Sequence, residues 1–550
     1  QGTTYINDLM TVTAAPGGIN VLASGNVVLV STALQTGKIG PIPAATPIAV
    51  TGAGKFTQQR YVSFPGGSEG DWYFLASPMQ SKNFTDWADD FRVIGLSSVL
   101  GGFGGQGGDV LPSNEPERNT IFSYNEAANN AYVDTVRKRG WTIPAAAATI
   151  TTGQGYRVFV KKEANPLFDN QGLIYSGDKN MTITRTENAT CQDGITLSTA
   201  VPCTETWRGW NLLGNPYPCD IDWDAAAAAW TKPGQMQNAW HRWNSAGQGY
   251  GLYTNGVGYV GAGPAPSNPN VIPSSQAFFV KAAAAGNYSA VLTVTEAAKI
   301  TATAGQFARV NAATQKLRIS LSKSMNPADY GYDAVIRFMP EATDNYDFSY
   351  DFESLGGNNF NLGIPVDQSL LAVASFAPIS DSKIVPISIN YKGASGSFYL
   401  KFSQMETLLE DNAIFLRDNL NGTIQEVTPG FVYNYSVSST DGLTGDRFEL
   451  IFNPTVVTGV TPSLAAGAGL NVFPNPNALG KATNVAIKGF DVNTADVVVY
   501  DAVGRVVFSK EVALTNGAAQ LEIKSELPAG VYTVKAIGGS LTLTQKLAVR

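Results

Sequence analysis

Histidine is almost missing from this chain: 550 residues contain one, His241. That excludes multi-histidine zinc sites and di-iron helix bundles, and it leaves one residue for any mechanism built on an imidazole base. Charge is scarce as well. Asp, Glu, Lys and Arg make up 15% of the chain, against about 25% in ordinary soluble proteins. The 37 basic and 44 acidic residues leave a net charge of −7, without the basic stripe of a nucleic-acid binder. Three cysteines occur, Cys191, Cys203 and Cys219, and none has the Cys-x-x-Cys spacing of a zinc knuckle or redox site. No apolar run approaches the roughly 18 residues of a membrane-spanning helix. Helical patterns are few, the best being 225–229, an alanine run closing on Trp230, and 403–412.

What is present is strand and turn. Runs at 26–34, 317–322, 334–339, 397–403 and 447–452 are rich in β-branched and aromatic residues, and several alternate apolar with polar. Pro-Gly-Gly at 65–67, Asn-Gly at 255–256 and 421–422, and Asp-Gly at 441–442 separate such runs. These patterns predict an all-β protein of several antiparallel β-sandwich domains in tandem, ending in a small Ig-like sandwich. At roughly 100–200 residues per domain, the length suits about three to five domains. We divide the chain into an N-terminal β-strand segment (1–58), a β-rich domain of two related halves (59–283), a β-sandwich (284–456), an uncharged linker (457–470) and a compact final module (471–550). The two halves share Trp72-x-x-Leu75-Ala76-Ser77-Pro78 and Trp210-x-x-Leu213-Gly214-Asn215-Pro216. An Asp-Trp pair follows each (86–87 and 222–223), and each half closes on a similar strand (156–162 and 277–281).

Few residues suggest chemistry. Gly102 to Gly107 matches G-x-G-x-x-G, but no helix opens after it, so it reads as a glycine loop. Asp220, Asp222 and Asp224 have the spacing that starts a calcium loop, yet Ala225 and Thr231 stand where an EF-hand needs Gly and Glu. No cofactor is expected, a structural calcium on these carboxylates being the alternative to a capped start of the 225–229 helix, with Asp222 or Asp224 near its N-terminus. His241 has no G-x-S-x-G partner, and no catalytic residue stands out. Trp240 and Trp243 are candidates for stacking on glycans, with core anchoring as the plainer reading. Cys191 and Cys203 flank a turn-rich segment, so a hairpin-closing disulfide and free thiols both fit. Gln1 in place of Met is the form expected once a signal peptide is removed, and a trimmed chain would look the same.

The final module carries motifs in a telling order. Asn471-Val472-Phe473-Pro474-Asn475-Pro476 comes first, then 497–501 leading into Gly504-Arg505-Val506-Val507. Leu527-Pro528-Ala529-Gly530-Val531-Tyr532 follows, and Lys546-Leu547-Ala548-Val549 ends the series. This resembles the type A C-terminal sorting domain of the bacterial type IX secretion system, found in Bacteroidetes. The resemblance implies a small seven-stranded sandwich in which Gly504 and Gly530 permit tight turns and Tyr532 fills the core. It also implies export across the outer membrane, recognition by the translocon, and usually removal of the domain when cargo is attached to the surface. Upstream, Arg60-Tyr61, the two Trp motifs and Gln-Ala-Phe-Phe-Val (276–280) resemble modules common in large surface proteins of the same bacteria.

Together these readings predict a secreted, cell-surface structural protein, not an enzyme, that self-associates into a filament or surface layer. Its N-terminal residues 1–50 are expected to take part in a contact between subunits. An adhesin binding surface glycans is the alternative, and a secreted hydrolase is the third. Nucleic acid is not expected as a partner, nor does the chain read as membrane-spanning.

Overall fold

A computed structural model of the chain describes residues 2–13, 18–62, 70–87, 90, 120–127, 140–161, 167–187, 190–192, 200–202, 208–301, 315–325, 331–438, 447–453, 469–501, 504–523 and 527–550, apart from positions 34, 45, 81, 143, 145–147, 284, 358, 381, 476 and 540. It is built almost wholly of strands, as the sequence predicts. The chain forms two compact units, Gln1–Asn419 with Glu426–Asn453, and Pro454–Arg550 with Leu420–Gln425.

The first unit begins with a parallel winding. Thr3–Ile6 lies parallel to Asn26–Leu29, which lies parallel to Lys55–Tyr61. Leu9–Met10 pairs in parallel with Lys38–Ile39, and Ile19–Val21 with Ile48–Val50. Leu9 meets Lys38, Ile19 meets Ile48 and Asn26 meets Lys55, a constant offset of 29 residues. This is a short solenoid, where the sequence pattern suggested antiparallel strands. Alternation reports which face is buried and says nothing about strand direction. The interior is filled by Val21, Leu29, Ile39, Ile42 and Phe56, closed by Met79 and Ile174. At Gly37 the coils come so close that a Cβ would stand 1.9 Å from the Ile6 carbonyl oxygen.

The two Trp motifs occupy equivalent places. Gly70–Leu75 pairs antiparallel with Tyr156–Lys161, Leu75 opposite Tyr156 and Trp72 opposite Phe159. Trp210–Gly214 pairs with Ala277–Lys281 in the same register, Leu213 opposite Phe278 and Trp210 opposite Lys281. The halves then interlock reciprocally, through bridges Leu75–Gln276 and Gln154–Leu213. The Ala76 N–H donates to the Ser275 carbonyl and the Gly214 N–H to the Gly153 carbonyl. This crossing explains the small residue in the motif, since a Cβ on Gly214 would lie 2.4 Å from that of Ala76. Phe74, Phe122, Trp141, Trp210, Tyr250 and Phe279 form an aromatic core drawn from both halves.

A large sheet that folds over on itself completes the unit. Its strands run in the order Ile414–Asp418, Phe448–Phe452, Lys383–Asn390, Asn361–Val366, Ser369–Phe376, Tyr332–Phe338, Gln315–Ser322, Gly396–Ser403 and Val432–Val437. One neighbouring pair is parallel, with Val335 opposite Val373. Between the leaves lie Leu317, Ile319, Ile336, Val385, Phe398 and Leu450. Of the two helical patterns, 403–412 yields one turn, Glu406–Leu409. The alanine run 225–229 forms turns instead. It is shorter than a helix nucleus can stabilise, and Trp230 is drawn into pairing with Val294.

The final unit is a seven-strand sandwich. Gly469–Phe473, Thr483–Lys488 and Ala519–Ile523 make one sheet, and Val506–Ala513, Thr494–Tyr500, Gly530–Gly538 and Leu541–Val549 make the other. Val472, Val485, Val497, Val534 and Leu547 fill the space between them.

Candidate functional site

In the final sandwich the first and last sorting-motif elements meet at the last strand. Asn475 Nδ2 donates to the Lys546 carbonyl at 2.7 Å, and Asn475 Oδ1 accepts from the Ala548 N–H at 3.0 Å. The Asn477 N–H donates to the Ala548 carbonyl and the Asn477 carbonyl accepts from the Arg550 N–H. Pro474 and Asn475 thus lead a segment that clamps Leu541–Val549 on the side away from Gly530–Gly538. Pro476 lies outside the described residues. Lys546 is exposed on that strand. Tyr532 is buried, its hydroxyl donating to the Pro528 carbonyl at 2.7 Å, and Leu527 joins the same core. Gly504 has φ +83°, and Arg505 Nε donates to Asp501 Oδ2 at 2.8 Å across that turn. Gly530 differs from expectation. It opens a strand without a left-handed backbone, and a Cβ there would make only ordinary contact with the Tyr532 ring, at 3.6 Å.

A second polar cluster is deep in the first unit. Lys281, at the end of Ala277–Lys281, contacts Glu353 Oε1 from the strand Phe352–Glu353. The Tyr346 hydroxyl donates to Glu353 Oε1 at 2.6 Å, and Gln237 Nε2 donates to Glu353 Oε2 at 3.3 Å and to the Asp351 carbonyl at 2.9 Å. Burial alone would raise the Glu353 pKa, but Lys281 and Tyr346 outweigh it and hold the carboxyl below its ordinary range. His241 is buried beside this pair, edge-on to Trp210 with 4.8 Å between ring centres. Burial lowers its pKa to about 4, opposed by Glu353 and reinforced by Lys281, so the imidazole is neutral at neutral pH. Asp351 is pushed up to about 7 by burial, against the pull of the Asp347 and Ser375 N–H groups. Lys281, Glu353, Tyr346 and Gln237 Nε2 are engaged with one another inside the protein, whereas both ring nitrogens of His241 are buried without a hydrogen-bond partner among the described residues.

The remaining candidates are dispersed. Trp240 and Trp243 are both buried, Trp240 against Phe278 and Trp243 against Tyr250. Their faces belong to the core, which corrects the glycan-stacking expectation. Asp220 pairs with Lys38 at 2.8 Å, Asp222 accepts from Asn270, and Asp224 accepts from the Tyr253 hydroxyl. The three carboxylates serve separate partners, and among the described residues no group of three His, Cys, Asp or Glu could hold a metal ion. Cys191 stands opposite Val201 in a two-strand hairpin, while Cys203 and Gly102 to Gly107 lie outside the described residues. Cys219 is a buried free thiol whose pKa burial pushes up to about 12.

Residues 108–452 match a family described as Domain of unknown function (DUF8693). The chain belongs to that family. Residues 471–550 match the Secretion system C-terminal sorting domain, on the module whose last strand is clamped by Asn475. The DUF8693 chain is therefore a secreted, cell-surface protein of Bacteroidetes type, exported by the type IX system. No helix among the described residues is long and apolar enough to cross a membrane. No curated protein matches the chain. Among solved structures, a Bifidobacterium dentium β-glucuronidase complexed with coumarin-3-O-glucuronide is 14% identical, with 28% of this chain and 40% of that one covered and a TM-score of 0.14. An apo β-glucuronidase from Ruminococcus gnavus is 13% identical over 29% and 37% of the two chains, TM-score 0.13. The BSP domain of a biofilm associated protein is 13% identical over 31% and 27%, TM-score 0.12. The chain thus spans well under half the length of these structures.

Sequence reasoning missed the Lys281–Glu353 pair, whose members lie 72 residues apart. It also missed the part played by Asn215 in the second Trp motif. That side chain is buried and donates to the Cys219, Ile272 and Pro273 carbonyls while accepting from the Tyr217 N–H.

Proposed function

We propose that this protein is a non-enzymatic structural component of the cell surface that assembles with further copies of itself through its N-terminal winding. The reading is carried by the open edge of the first coil. Thr3–Ile6 is the outermost strand of its sheet, bonded to Asn26–Leu29 on its inner side, and Tyr5 on it is 66% exposed. Such an edge offers a row of N–H and C=O groups to a strand from another chain. Where it meets a different surface of the next copy, the contact is heterologous and propagates into rings or filaments. The low charge of the chain favours such close packing, because little repulsion opposes it. The non-enzymatic part of the reading is supported by the burial of the sole imidazole, His241, and by the internal engagement of the carboxylates around it. Burial of Trp240 and Trp243 weighs against the glycan-binding alternative.

The test is assembly of the purified protein, read by sedimentation and negative-stain microscopy. Wild type should form regular filaments or sheets at high concentration. Thr3→Pro, which removes an outward-facing N–H and fixes φ, and Tyr5→Glu, which charges the edge, should leave the fold intact and abolish assembly. A strictly monomeric wild type, or edge variants that polymerise as before, would sink the reading.

A further inference from the structure

An amine and a carboxyl face each other in the pocket where Ala277–Lys281 meets Phe352–Glu353. Lys281 Nζ touches Glu353 Oε1, with the two side chains 3% and 0% exposed. As an ion pair this arrangement has little to recommend it, since desolvating two charges is costly and apolar replacements are often neutral or stabilising. As a pair of reactants it is well placed. Contact removes the entropy of encounter, and a dry site removes the excess water that drives hydrolysis of an amide. The rings of Trp210 and Tyr346 lie 5.6 and 5.9 Å from Nζ. Their apolar walls lower the cost of passing from two ions to a neutral amine and a neutral acid. The Tyr346 hydroxyl and Gln237 Nε2 donate to the two carboxyl oxygens at 2.6 and 3.3 Å, where negative charge grows as the carbonyl carbon is attacked. Neutral His241 is buried with both ring nitrogens lacking a hydrogen-bond partner among the described residues, within the electrostatic reach of Glu353 and Lys281, which leaves it free to take up a proton.

We propose that Lys281 and Glu353 condense into an intramolecular isopeptide bond. The resting pair is ionic, so the first step moves one proton from the ammonium to the carboxylate. The Nζ lone pair then attacks Glu353 Cδ, forming the N–C bond. The Cδ–O bond to the protonated oxygen breaks, and that oxygen leaves as water with a second proton, taken from nitrogen and relayed by His241. Ammonium plus carboxylate become one amide and one water, with no oxidant or co-reactant. The bond ties the second Trp-motif half to the following sandwich and closes a long loop. It restricts the unfolded chain as a disulfide would, without depending on the redox state of the surroundings.

The experiment is intact mass spectrometry of the full chain in denaturant, followed by peptide mapping. The protein should be lighter than its sequence by one water. Trypsin should fail to cut after Lys281 and should release a branched peptide joining residues 243–299 to 338–383. Lys281→Met and Glu353→Ala should each restore the full sequence mass expected of the variant. Tyr346→Phe, which keeps the ring and loses the hydroxyl, should raise the unlinked fraction. The wild-type map decides the matter even if those variants do not fold. A full sequence mass with cleavage after Lys281, or a lost water that maps to other residues, would overturn the proposal.

Discussion

Replacing Asn215 with alanine should be among the most damaging single changes in the first unit. Its Nδ2 donates to three carbonyls at 2.9, 3.1 and 3.0 Å, and its Oδ1 accepts from the Tyr217 N–H at 3.0 Å. Asn215 itself is 0% exposed, so water does not replace these partners for free. The two Nδ2 hydrogens are shared among the three carbonyls, so with the accepted bond, at about 1 kcal/mol net for each, and more where a buried group is left unsatisfied, the loss comes to about 3 kcal/mol. Asn215→Asp is the informative control. It keeps an acceptor for Tyr217 but turns a carboxylate oxygen toward three carbonyls, and should be at least as harmful as alanine. All nine tryptophans lie between residues 72 and 243, so urea unfolding followed by tryptophan fluorescence reports on this region and not on the sorting domain. A midpoint shift worth under about 1 kcal/mol for Asn215→Ala would refute the reasoning, because it would mean the three carbonyls find other donors.

Acidification should expose two opposing titrations. His241, with a folded pKa of about 4 against an ordinary 6.5, destabilises the fold as pH falls through that window, because only the unfolded chain takes up the proton. Asp351, at about 7 against 3.8, does the reverse, holding a proton that the unfolded chain has released, so its contribution is lost as pH rises toward 7. Asp351→Asn should therefore steepen the loss of stability between pH 6 and 4 in urea titrations, and an unchanged slope would count against the assignment. In the sorting domain, fusing residues 456–550 to an inert reporter should export it through the type IX pathway. Asn475→Ala should reduce that export by freeing the last strand, and deletion of residues 546–550 should abolish it, both read by reporter in the medium. Gly37→Ala should push apart the first two coils, seen as faster hydrogen exchange at Thr3–Ile6, since its Cβ has no space beside Ile6.

Short-range features were legible in the sequence. The runs at 317–322, 397–403 and 447–452 became Gln315–Ser322, Gly396–Ser403 and Phe448–Phe452, because β-branched alternation and flanking turns act within a few residues. The sorting motif was legible for the same reason, its residues lying on successive strands of one small sandwich. The run 26–34 was overextended, since the strand ends at Leu29 where the coil turns its corner. Trp240 and Trp243 show a different limit. An aromatic that alternates with polar residues looks alike whether its face meets a ligand or Phe278 and Tyr250. Lys281 is legible only as the end of the strand 277–281 and Glu353 carries no signal of its own, because only the tertiary fold brings them together.

The parallel winding also sets an order of events. Its first coil rests on the second, the second rests on Lys55–Tyr61, and that strand is completed by Leu167–Gly172. Contacts so distant in sequence form slowly, because a long loop must close before any of them is rewarded. Residues 3–50 precede Leu167–Gly172 by more than a hundred positions, yet the sheet they stack on is complete only when Phe168 has reached Arg60. The start of the chain is thus the last part of its unit to become ordered, and it remains extended and threadable for longest.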